Sequence, residues 1–596
     1  MHSAHELLTR WPAFDVAAKR THLQNSLHLS PGPLAGALQE AVDAADRAAA
    51  GLWRGDPSVW STEPAVQKEI ADRFGWLSSP GLMADSIDRL ISFADGIKRA
   101  GFTDVVLLGM GGSSLAPEVL HAVIGVSPGW PRFHMLDSTD PAAIRAAATP
   151  PDRTLYVLAS KSGTTIEPNS LAAHFRQTLI DAGAARWADH FVAITDEGTA
   201  LARRARAEQF RDIFINPSDI GGRYSALSFF GMVPAALMGQ DVAAIIAWSL
   251  AMLAAAEPAG AMANPAVALG LAIGAGAGAG RDKLTVVAPP ALDAFGLWVE
   301  QLIAESTGKN GTGIVPIAGE GLADPAAYGG DRLFVRVRVP GSSGEAAGDA
   351  AVSALKTAST PLVEIDLPEP AALGAEFLRW EIATAVAGAL LGINPFDQPN
   401  VQQAKDATQT LLTQYKTTGR LPIALPDRTL DKGIALTLSS AARKSLQGAR
   451  EPDADAFLTL LHEGDYFALL AYLGPGRELA SELEAFRRAV RDRSRTATML
   501  GYGPRYLHST GQLHKGGPNT GVFVLITATP REDVSIPGEP FSFATLELAQ
   551  AVGDFASLDA AGRRALHAHL PSPDAPLLRK LADMLLARMP QAAPRT

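Results

Sequence analysis

Short apolar runs alternate with longer stretches of helical spacing in the first half of the chain. Between residues 102 and 216 these runs are five or six residues long and rich in Val, Leu and Ile, which is typical of buried strands. The strands predicted there are 104–108, 132–136, 154–159, 190–195 and 212–216. Strands that alternate with helices predict a parallel sheet with helices on both faces.

A second alternating region follows a predicted helical stretch at 228–256. Its predicted strands are 283–288, 333–339 and 361–366, and a helix predicted at 374–391 closes it. The pattern therefore predicts an α/β protein with two doubly wound parallel sheets, the second smaller than the first.

The two ends of the chain have different patterns. Leu34, Leu38 and Val42 recur at helical spacing, which predicts a helical N-terminal arm. Beyond residue 416, a charged amphipathic helix at 477–493 and an apolar strand at 522–528 predict a mixed α/β region. The predicted domains are 1–55, the helical arm; 56–245, the first doubly wound domain; 246–415, the second; and 416–596, the mixed region.

Composition narrows the classes of function. The net charge of −10 argues against nucleic acid as a partner, because a DNA- or RNA-binding surface needs basic residues. The chain has no cysteine, so disulfides and thiolate chemistry are excluded and a cytoplasmic location is expected. Residues 258–280 are free of charge, but two prolines interrupt them and Ala and Gly dominate, so we expect a buried helix there and no membrane partner.

The most informative loop is Ser160-Lys161-Ser162-Gly163-Thr164-Thr165, between a predicted strand and a predicted helix. Hydroxyl groups and free amides at a helix N-terminus bind anions, and glycine lets the backbone approach them. The loop lacks the spacing of a nucleotide-hydrolysing phosphate loop, so a single phosphate is the expected ligand. The alternative is a Ser/Thr-rich capping turn.

A second loop, Gly109-Met110-Gly111-Gly112-Ser113-Ser114, follows the strand predicted at 104–108. Its glycines are too close together for a dinucleotide loop, and the next strand ends without a clear acidic residue to hold a ribose. Both loops should lie at the carboxyl ends of their strands, where open α/β sheets bind ligands.

The two loops together resemble the sugar isomerase (SIS) domain, and within it the phosphoglucose isomerase family. Three further segments carry the resemblance in the family's order, over about residues 60–415. They are Gly221-Gly222-Arg223-Tyr224-Ser225, Glu305-Ser306-Thr307-Gly308-Lys309, and Asn394-Pro395-Phe396-Asp397-Gln398-Pro399 leading to Lys405. The stretch from Leu507 to Lys515 looks like the C-terminal part of the isomerase half of fused transaldolase–phosphoglucose isomerase proteins, although no transaldolase half is visible.

The resemblance implies an aldose–ketose isomerase of glucose 6-phosphate and fructose 6-phosphate that works through an enediolate. Glu305 would be the base and Arg223 would stabilise the enediolate. Taken without the resemblance, a glutamate on a helix surface and an arginine in a structural salt bridge are the commoner cases. The implied substrate ligands are Ser113, Ser160, Lys161, Ser162, Thr164, Thr165, Gln301 and Gln398. No metal or other cofactor is implied, and a monomer and a homodimer both stay open.

Ring opening is the step for which the sequence lacks an obvious residue. Members of the family commonly carry a histidine soon after the catalytic glutamate, but this chain has none between His190 and His462. Lys405 matches the family's lysine that assists ring opening or contacts the sugar oxygen. Tyr328, Lys405 alone, His508 or His514 could serve, and both histidines lie in a polar, glycine-rich stretch that is unlike a core element. We favour His514, since Lys515 beside it should keep its pKa low.

Two other functions stay open at this point. A non-catalytic phosphosugar-binding regulator can keep the phosphate loop and lose the base, but this chain has Glu305, Arg223 and Lys405 together. An isomerase of a related hexose, such as mannose 6-phosphate or a sulfonated hexose, would need the same tetrahedral anion site.

Overall fold

The computed structural model describes residues 10–11, 14–257, 260–341, 345–446 and 453–591. The strands are β1 (Leu27–Ser30), β2 (Asp104–Leu108), β3 (Arg132–Leu136), β4 (Thr154–Ala159), β5 (Phe191–Asp196), β6 (Asp212–Asn216), β7 (Lys283–Val287), β8 (Val315–Ile317), β9 (Arg332–Arg338), β10 (Leu362–Asp366), β11 (Arg428–Thr429), β12 (Ala435–Leu438), β13 (Tyr466–Tyr472), β14 (Ala497–Tyr502), β15 (Gly521–Ala528) and β16 (Arg564–Leu570).

The helices connect these strands and cover their faces. They are α1 (Val16–Gln24), α2 (Ala35–Arg54), α3 (Pro64–Ala71), α4 (Ser79–Arg99), α5 (Leu115–Val123), α6 (Pro141–Ala146), α7 (Ile166–Asp181), α8 (Ala200–Ala207), α9 (Phe229–Leu237), α10 (Val242–Ala255), α11 (Pro265–Gly278), α12 (Asp293–Thr307), α13 (Glu345–Thr357), α14 (Leu373–Leu390), α15 (Val401–Thr418), α16 (Ser440–Ser445), α17 (Arg477–Ser494), α18 (Gly511–Gly516), α19 (Phe543–Ala560) and α20 (Ala575–Ala587).

The chain divides into two compact units. The first comprises Met1–Asp137, Thr149–Thr307 and Arg332–Asp397. The second comprises Ser138–Ala148, Gly308–Asp331 and Gln398–Thr596. This partition follows packing and not chain order, and the four sequential domains predicted from the sequence stay a prediction.

The first unit contains the predicted parallel sheet. Its order is β3-β2-β4-β5-β6, and every neighbouring pair is parallel. The central strands β2, β4 and β5 are buried along their whole length, because helices cover both faces. The five predicted strands are confirmed, with β5 shifted by one residue.

A second sheet in the first unit has the order β1-β10-β9-β7. Strand β1 was not predicted, because residues 1–55 were interpreted as helical throughout. It pairs antiparallel with β10, and Leu27 lies opposite Ile365. A four-residue edge strand that is only partly buried has too little alternation to be seen in the sequence.

The predicted helix at 228–256 is two helices, α9 and α10. Gly239 between them has a φ of +70°, and a Cβ there would lie 2.4 Å from the Trp130 ring. Asp241 then caps α10 by accepting a hydrogen bond from the amide of Ala244 at 2.9 Å. A left-handed glycine followed by a new cap separates the two helices.

The second unit contains a third sheet, of order β11-β12-β16-β15-β13-β14. Strands β14, β13, β15 and β16 are parallel, and β12 joins β16 antiparallel. The predicted mixed α/β region is therefore built on a largely parallel sheet, of which the sequence showed β15 and α17. Within the described ranges, no helix is long and apolar enough to cross a membrane, and α11 is mostly buried.

Candidate functional site

The two predicted ligand loops begin at neighbouring strand ends in the first unit. Strands β2 and β4 are adjacent and parallel, with Leu108 opposite Leu158. Residues 109–114 follow β2 and residues 160–165 follow β4. The strand order changes direction between these two strands, because β3 lies outside β2 while β5 and β6 lie beyond β4. This is the topological switch point at which open α/β sheets bind ligands.

The serine and threonine hydroxyl groups of the second loop form a small cradle. The hydroxyl oxygens of Ser160 and Thr165 are 3.2 Å apart, and the amide of Gly163 donates to Ser160 Oγ at 3.1 Å. Gly163 has a φ of +69°, and a Cβ there would lie 2.7 Å from the amide nitrogen of Leu201. Thr165 precedes the 16-residue helix α7, and among the described residues no side chain caps that helix. Its first amides therefore point to an anion site.

Lys161 lies in the same loop, but its charge has a partner within the protein. Its ammonium group pairs with the carboxylate of Asp196 and donates to the carbonyl of Ser218 at 3.0 Å. Burial raises the pKa of Asp196, while the nearby lysine opposes that shift. The hydroxyls and amides of the loop are thus the groups most available to an anion, and the substrate-binding role of Lys161 stays a prediction.

The loop after β2 packs directly against the segment that carries Arg223. A Cβ at Gly112 would lie 2.0 Å from the carbonyl oxygen of Gly222, so only glycine fits there. The Ser225 hydroxyl donates to the Gly112 carbonyl at 3.3 Å. Ser113, a predicted phosphate ligand, is 8% exposed at this junction. The structure therefore joins two predicted motifs that are more than 100 residues apart.

Arg223 is buried and its guanidinium is fixed by the protein. Nε donates to Ser306 Oγ at 2.6 Å, and Nη2 donates to the carbonyl oxygens of Pro395 and Asp397 at 2.5 and 3.0 Å. Nη1 lies 3.7 Å from a carboxylate oxygen of Glu305. A guanidinium held in this way is a preorganised positive charge beside a carboxylate.

Glu305 lies near the end of α12 and retains access to solvent, with 12% of its side chain exposed. The amide of Gln301, one turn earlier on the helix, donates to the second carboxylate oxygen at 3.2 Å. Gln301 and Glu305 are four residues apart, so they lie on the same face of α12. Flanked by an amide and a guanidinium, this carboxylate is positioned to exchange protons with a bound molecule.

The sequence missed the groups that support Arg223. Ser306 accepts from it, and the phenol of Tyr224 lies 3.3 Å from the same hydroxyl. Burial raises the pKa of Tyr224 to about 12, so this phenol keeps its proton. The only sequence signal was adjacency, because Ser306 follows Glu305 and Tyr224 follows Arg223.

Three predicted site residues belong to the second unit. Gln398 and Lys405 are exposed, and Lys405 lies in the first turns of α15. His514 lies in α18 and is 1% exposed. Their roles stay predictions. Of the alternatives for ring opening, Tyr328 is buried and its phenol oxygen accepts from the amide of Ala323 at 2.7 Å, while His508 is half-buried.

The stretch around His514 was expected to differ from a core element because it is polar and rich in glycine, and this expectation is wrong. The imidazole packs against the rings of Tyr466, Tyr506 and Phe523 at 5.2–6.3 Å. Neither ring nitrogen has a hydrogen-bond partner among the described residues. Burial, with a smaller contribution from Lys515, holds the pKa of His514 well below its usual range.

Lys515 shows why a polar stretch can be buried here. Its ammonium group forms a fully buried ion pair with Asp554 at 2.5 Å, and Asp554 also accepts from Tyr506 at 2.7 Å. Asp554 of α19 thus neutralises the buried charge of Lys515 within the second unit. No group of three or more His, Asp or Glu side chains suited to a metal ion occurs in the described part of the chain.

Known proteins are similar to this chain over the region that holds the candidate site. A family model described as phosphoglucose isomerase matches residues 83–310, which include both loops, Arg223 and Glu305. Glucose-6-phosphate isomerase of Rubrobacter xylanophilus is 30% identical over 390 residues, covering 58% of this chain and 90% of that protein. The enzyme of the same name from Parasynechococcus marenigrum is 30% identical over 441 residues, covering 65% of this chain and 78% of that protein.

One solved structure is similar over most of its length. The crystal structure of a hypothetical protein from Thermus thermophilus has 26% sequence identity and a TM-score of 0.53, covering 64% of this chain and 99% of that chain. The sequence and structural similarities thus each cover more than half of the chain.

Proposed function

The chain belongs to the phosphoglucose isomerase family, and we propose that it interconverts glucose 6-phosphate and fructose 6-phosphate. The observation that carries the proposal is the position of Glu305, whose two carboxylate oxygens face Gln301 at 3.2 Å and Arg223 at 3.7 Å. The same unit holds a hydroxyl-rich loop at its switch point. Together they supply an anion anchor, a base and a fixed positive charge.

The phosphate of the sugar binds to the loop 160–165 and the first amides of α7. Ser160, Ser162, Thr164 and Thr165 offer hydroxyls there, and Ser113 lies on the neighbouring loop. Because the phosphate is remote from the reacting carbons, its binding energy serves to position them.

Glu305 then transfers the proton. Its carboxylate takes the proton from C2 of the open-chain aldose, and the electron pair of that C–H bond forms the C1–C2 double bond as O1 gains negative charge. The same carboxyl returns the proton to C1, while the hydroxyl proton passes between O2 and O1. A carboxylate suits this step because one oxygen can accept and return the proton.

Arg223 stabilises the negative charge of the enediolate. Its bonds to Ser306 and to the carbonyls of Pro395 and Asp397 hold the guanidinium in place before the charge appears. We propose Lys405 as the residue that assists ring opening. The burial of the His514 imidazole weighs against direct contact with the sugar ring.

The competing functions differ in what the site must contain. A phosphosugar-binding regulator has no need of a base beside a buried arginine, so the Glu305–Arg223 pair favours an enzyme. The hexose itself is set by contacts to its hydroxyls, which leaves mannose 6-phosphate and a sulfonated hexose as alternative substrates. The proposed reaction belongs to glycolysis and gluconeogenesis, and the absence of cysteine fits a cytoplasmic enzyme.

A coupled assay distinguishes these functions. Purified protein is given fructose 6-phosphate, mannose 6-phosphate or a sulfonated hexose in parallel, and the product of each is followed. We expect turnover of fructose 6-phosphate with a kcat/KM at least ~100-fold above the others. Binding of all three without turnover would support the regulator, and a preference for another hexose would reassign the substrate.

A further inference from the structure

The second unit contains a cavity that has no part in the proposed reaction. Its volume is about 450 Å³, which is within the range of small-molecule sites. Its walls come from the chain after β13, the chain after β15, the chain after β16, and α6. All of these segments belong to the second unit.

The cavity lies at the switch point of the third sheet. The parallel strands have the order β14-β13-β15-β16, so the chain moves outward from β13 to β14 and then returns to the other side of β13. The first sheet has the same order, β3-β2-β4-β5, and its proposed phosphate loops follow β2 and β4. The corresponding segments of the third sheet follow β13 and β15, and both line the cavity.

The helices after these two strands lie on opposite faces of the sheet, as a switch point requires. Phe467 and Leu469 of β13 pack in one core with Phe486 of α17. Tyr472, an odd number of residues from both, lies on the other face, where Tyr506 bridges its hydroxyl to Asp554 of α19. A crevice therefore opens between the two strand ends.

One end of the cavity is suited to an anion. The 18-residue helix α17 begins after Gly474-Pro475-Gly476, and within the described ranges no side chain caps it. Arg477, its first residue, lines the cavity and is exposed, and it has no hydrogen bond or ion pair among the residues the structure describes.

The other charged groups of the wall are already engaged. Arg145 pairs with Glu532 at 3.4 Å, and Arg531 pairs with Asp574. Asp140 is buried and accepts a hydrogen bond from the amide of Ala143 at 2.9 Å. Glu478 is exposed, so it adds negative charge at the rim. Arg477 is thus the cation of this wall that is available to a ligand.

The rest of the wall is mainly apolar. Leu473, Leu479, Ala528, Pro530 and Pro573 line it, together with Tyr472. A wall of this kind suits a ring or hydrocarbon body more than a hydrated ion.

We propose that the second unit binds a small organic phosphate in this cavity, with the phosphate on Arg477 and the first amides of α17 and the body against the apolar wall. The site goes beyond the proposed isomerase reaction, because none of its residues belongs to the loop 160–165 or to the Glu305–Arg223 pair. A bidentate guanidinium and free helix amides are the groups that recognise phosphate elsewhere in proteins.

Hydrogen–deuterium exchange of the full chain tests the proposal, with phenyl phosphate as the probe. We expect the probe to slow exchange of the amides at 477–480. Arg477→Ala should raise the concentration needed for this protection at least tenfold, since a hydrogen bond to a charged group is lost. Arg488→Ala, which removes an exposed arginine farther along α17, is the matched control and should bind as the parent does.

Two further comparisons make the outcome decisive. Inorganic phosphate should protect 477–480 at least tenfold less well than phenyl phosphate, because it lacks the apolar body, and Glu478→Gln should bind the probe more tightly. Peptides over 160–166 report the proposed active site separately in the same samples. Absence of protection at 477–480, or protection that survives Arg477→Ala unchanged, would overturn the proposal.

Discussion

Arg223 is bonded more closely to the backbone and to Ser306 than to the carboxylate beside it. Its bonds to Ser306 and to the Pro395 carbonyl are 2.5–2.6 Å long, whereas Glu305 lies 3.7 Å away. The longer contact leaves the carboxylate free to move towards a substrate, while the positive charge stays where it is. This division separates a mobile proton carrier from a fixed electrostatic group.

Glu381 of α14 is a carboxyl of the first unit that is more deeply buried than Glu305. It is 1% exposed, and neither of its oxygens has a hydrogen-bond partner among the described residues. Burial raises the pKa of this carboxyl well above 4.5. The folded protein therefore keeps a neutral carboxylic acid here at a pH where the unfolded chain has lost the proton.

We predict that Glu381→Gln changes how stability depends on pH. A raised folded-state pKa contributes stability that is complete below about pH 4.5 and is lost as pH rises towards the folded pKa. Between these limits the free energy of unfolding of the parent should fall by up to about 1.4 kcal/mol per pH unit relative to that of the variant, which has no proton to release.

Urea unfolding at pH 5 and pH 7, followed by tryptophan fluorescence, measures this loss. All nine tryptophans lie in the first unit, so the signal reports on that unit. Glu40→Gln, at an exposed position on α2, is the control and should follow the parent at both pH values. Parallel pH dependence of the parent and Glu381→Gln would show that Glu381 ionises normally.

The loop 160–165 should set substrate affinity through its hydroxyls and amides. We predict that Ser160→Ala combined with Thr165→Ala weakens binding of a non-isomerisable sugar phosphate by about 2–4 kcal/mol, because each lost bond to a charged group is worth roughly 1.5–3 kcal/mol. Lys161→Met should weaken binding less, since Asp196 already neutralises Lys161.

Isothermal titration of the double variant and of Lys161→Met separates the two contributions. Unchanged affinity in the double variant would remove the loop from the site. A larger loss in Lys161→Met than in the double variant would show that the lysine leaves Asp196 for the phosphate.

How far the elements can be predicted depends on where their stabilising contacts lie. Strands β2 to β6 are visible in the sequence because helices cover both faces of the sheet, which makes each strand a continuous apolar run. Strand β1 could not be predicted from the sequence, because its partner β10 lies more than 300 residues away and its own side chains are mostly part-exposed. Long-range pairing leaves no local pattern.

In the candidate site, too, the sequence predicted the local segments and not the long-range contacts between them. The motifs that carry Glu305, Arg223 and the two loops could be found, because each one is a short segment with its own chemistry. The hydrogen bonds from Arg223 to two carbonyl oxygens could not be predicted, since every residue type has a carbonyl. The burial of His514 was missed because Lys515 and Asp554, which satisfy each other, are nearly 40 residues apart.

The stability of the whole protein at acidic pH should depend on histidines that are neutral in the folded state. His567 of β16 is buried, its Nε2 lies 2.8 Å from the Thr527 hydroxyl, and burial lowers its pKa to about 3. The unfolded chain binds a proton at this residue below about pH 6.5 and the folded chain does not, so stability falls as pH drops through this window.

We predict that this single group destabilises the second unit by about 2 kcal/mol between pH 7 and pH 5, since each pH unit below 6.5 contributes about 1.4 kcal/mol. Hydrogen exchange of the β16 amides at the two pH values gives the change in opening free energy. Between pH 7 and pH 5, the opening free energy of His567→Gln should fall by about 2 kcal/mol less than that of the parent. His462→Gln, at an exposed position, is the control and should behave as the parent does. Equal losses in the parent and His567→Gln would mean that His567 is protonated in the fold.

Proton transfer by Glu305 is the central step of the proposed reaction, and isomerisation in D2O reports on it. Proton NMR follows fructose 6-phosphate as the purified protein converts it to glucose 6-phosphate, and it detects deuterium at C1 of the ketose and C2 of the aldose. We predict conversion with deuterium entering at these two carbons. In Glu305→Gln, conversion and deuterium exchange should both fall at least ~100-fold, because the amide cannot accept the proton, while affinity for a non-isomerisable sugar phosphate stays within about threefold. Conversion and exchange at the parent's rates in Glu305→Gln would show that Glu305 does not transfer the proton.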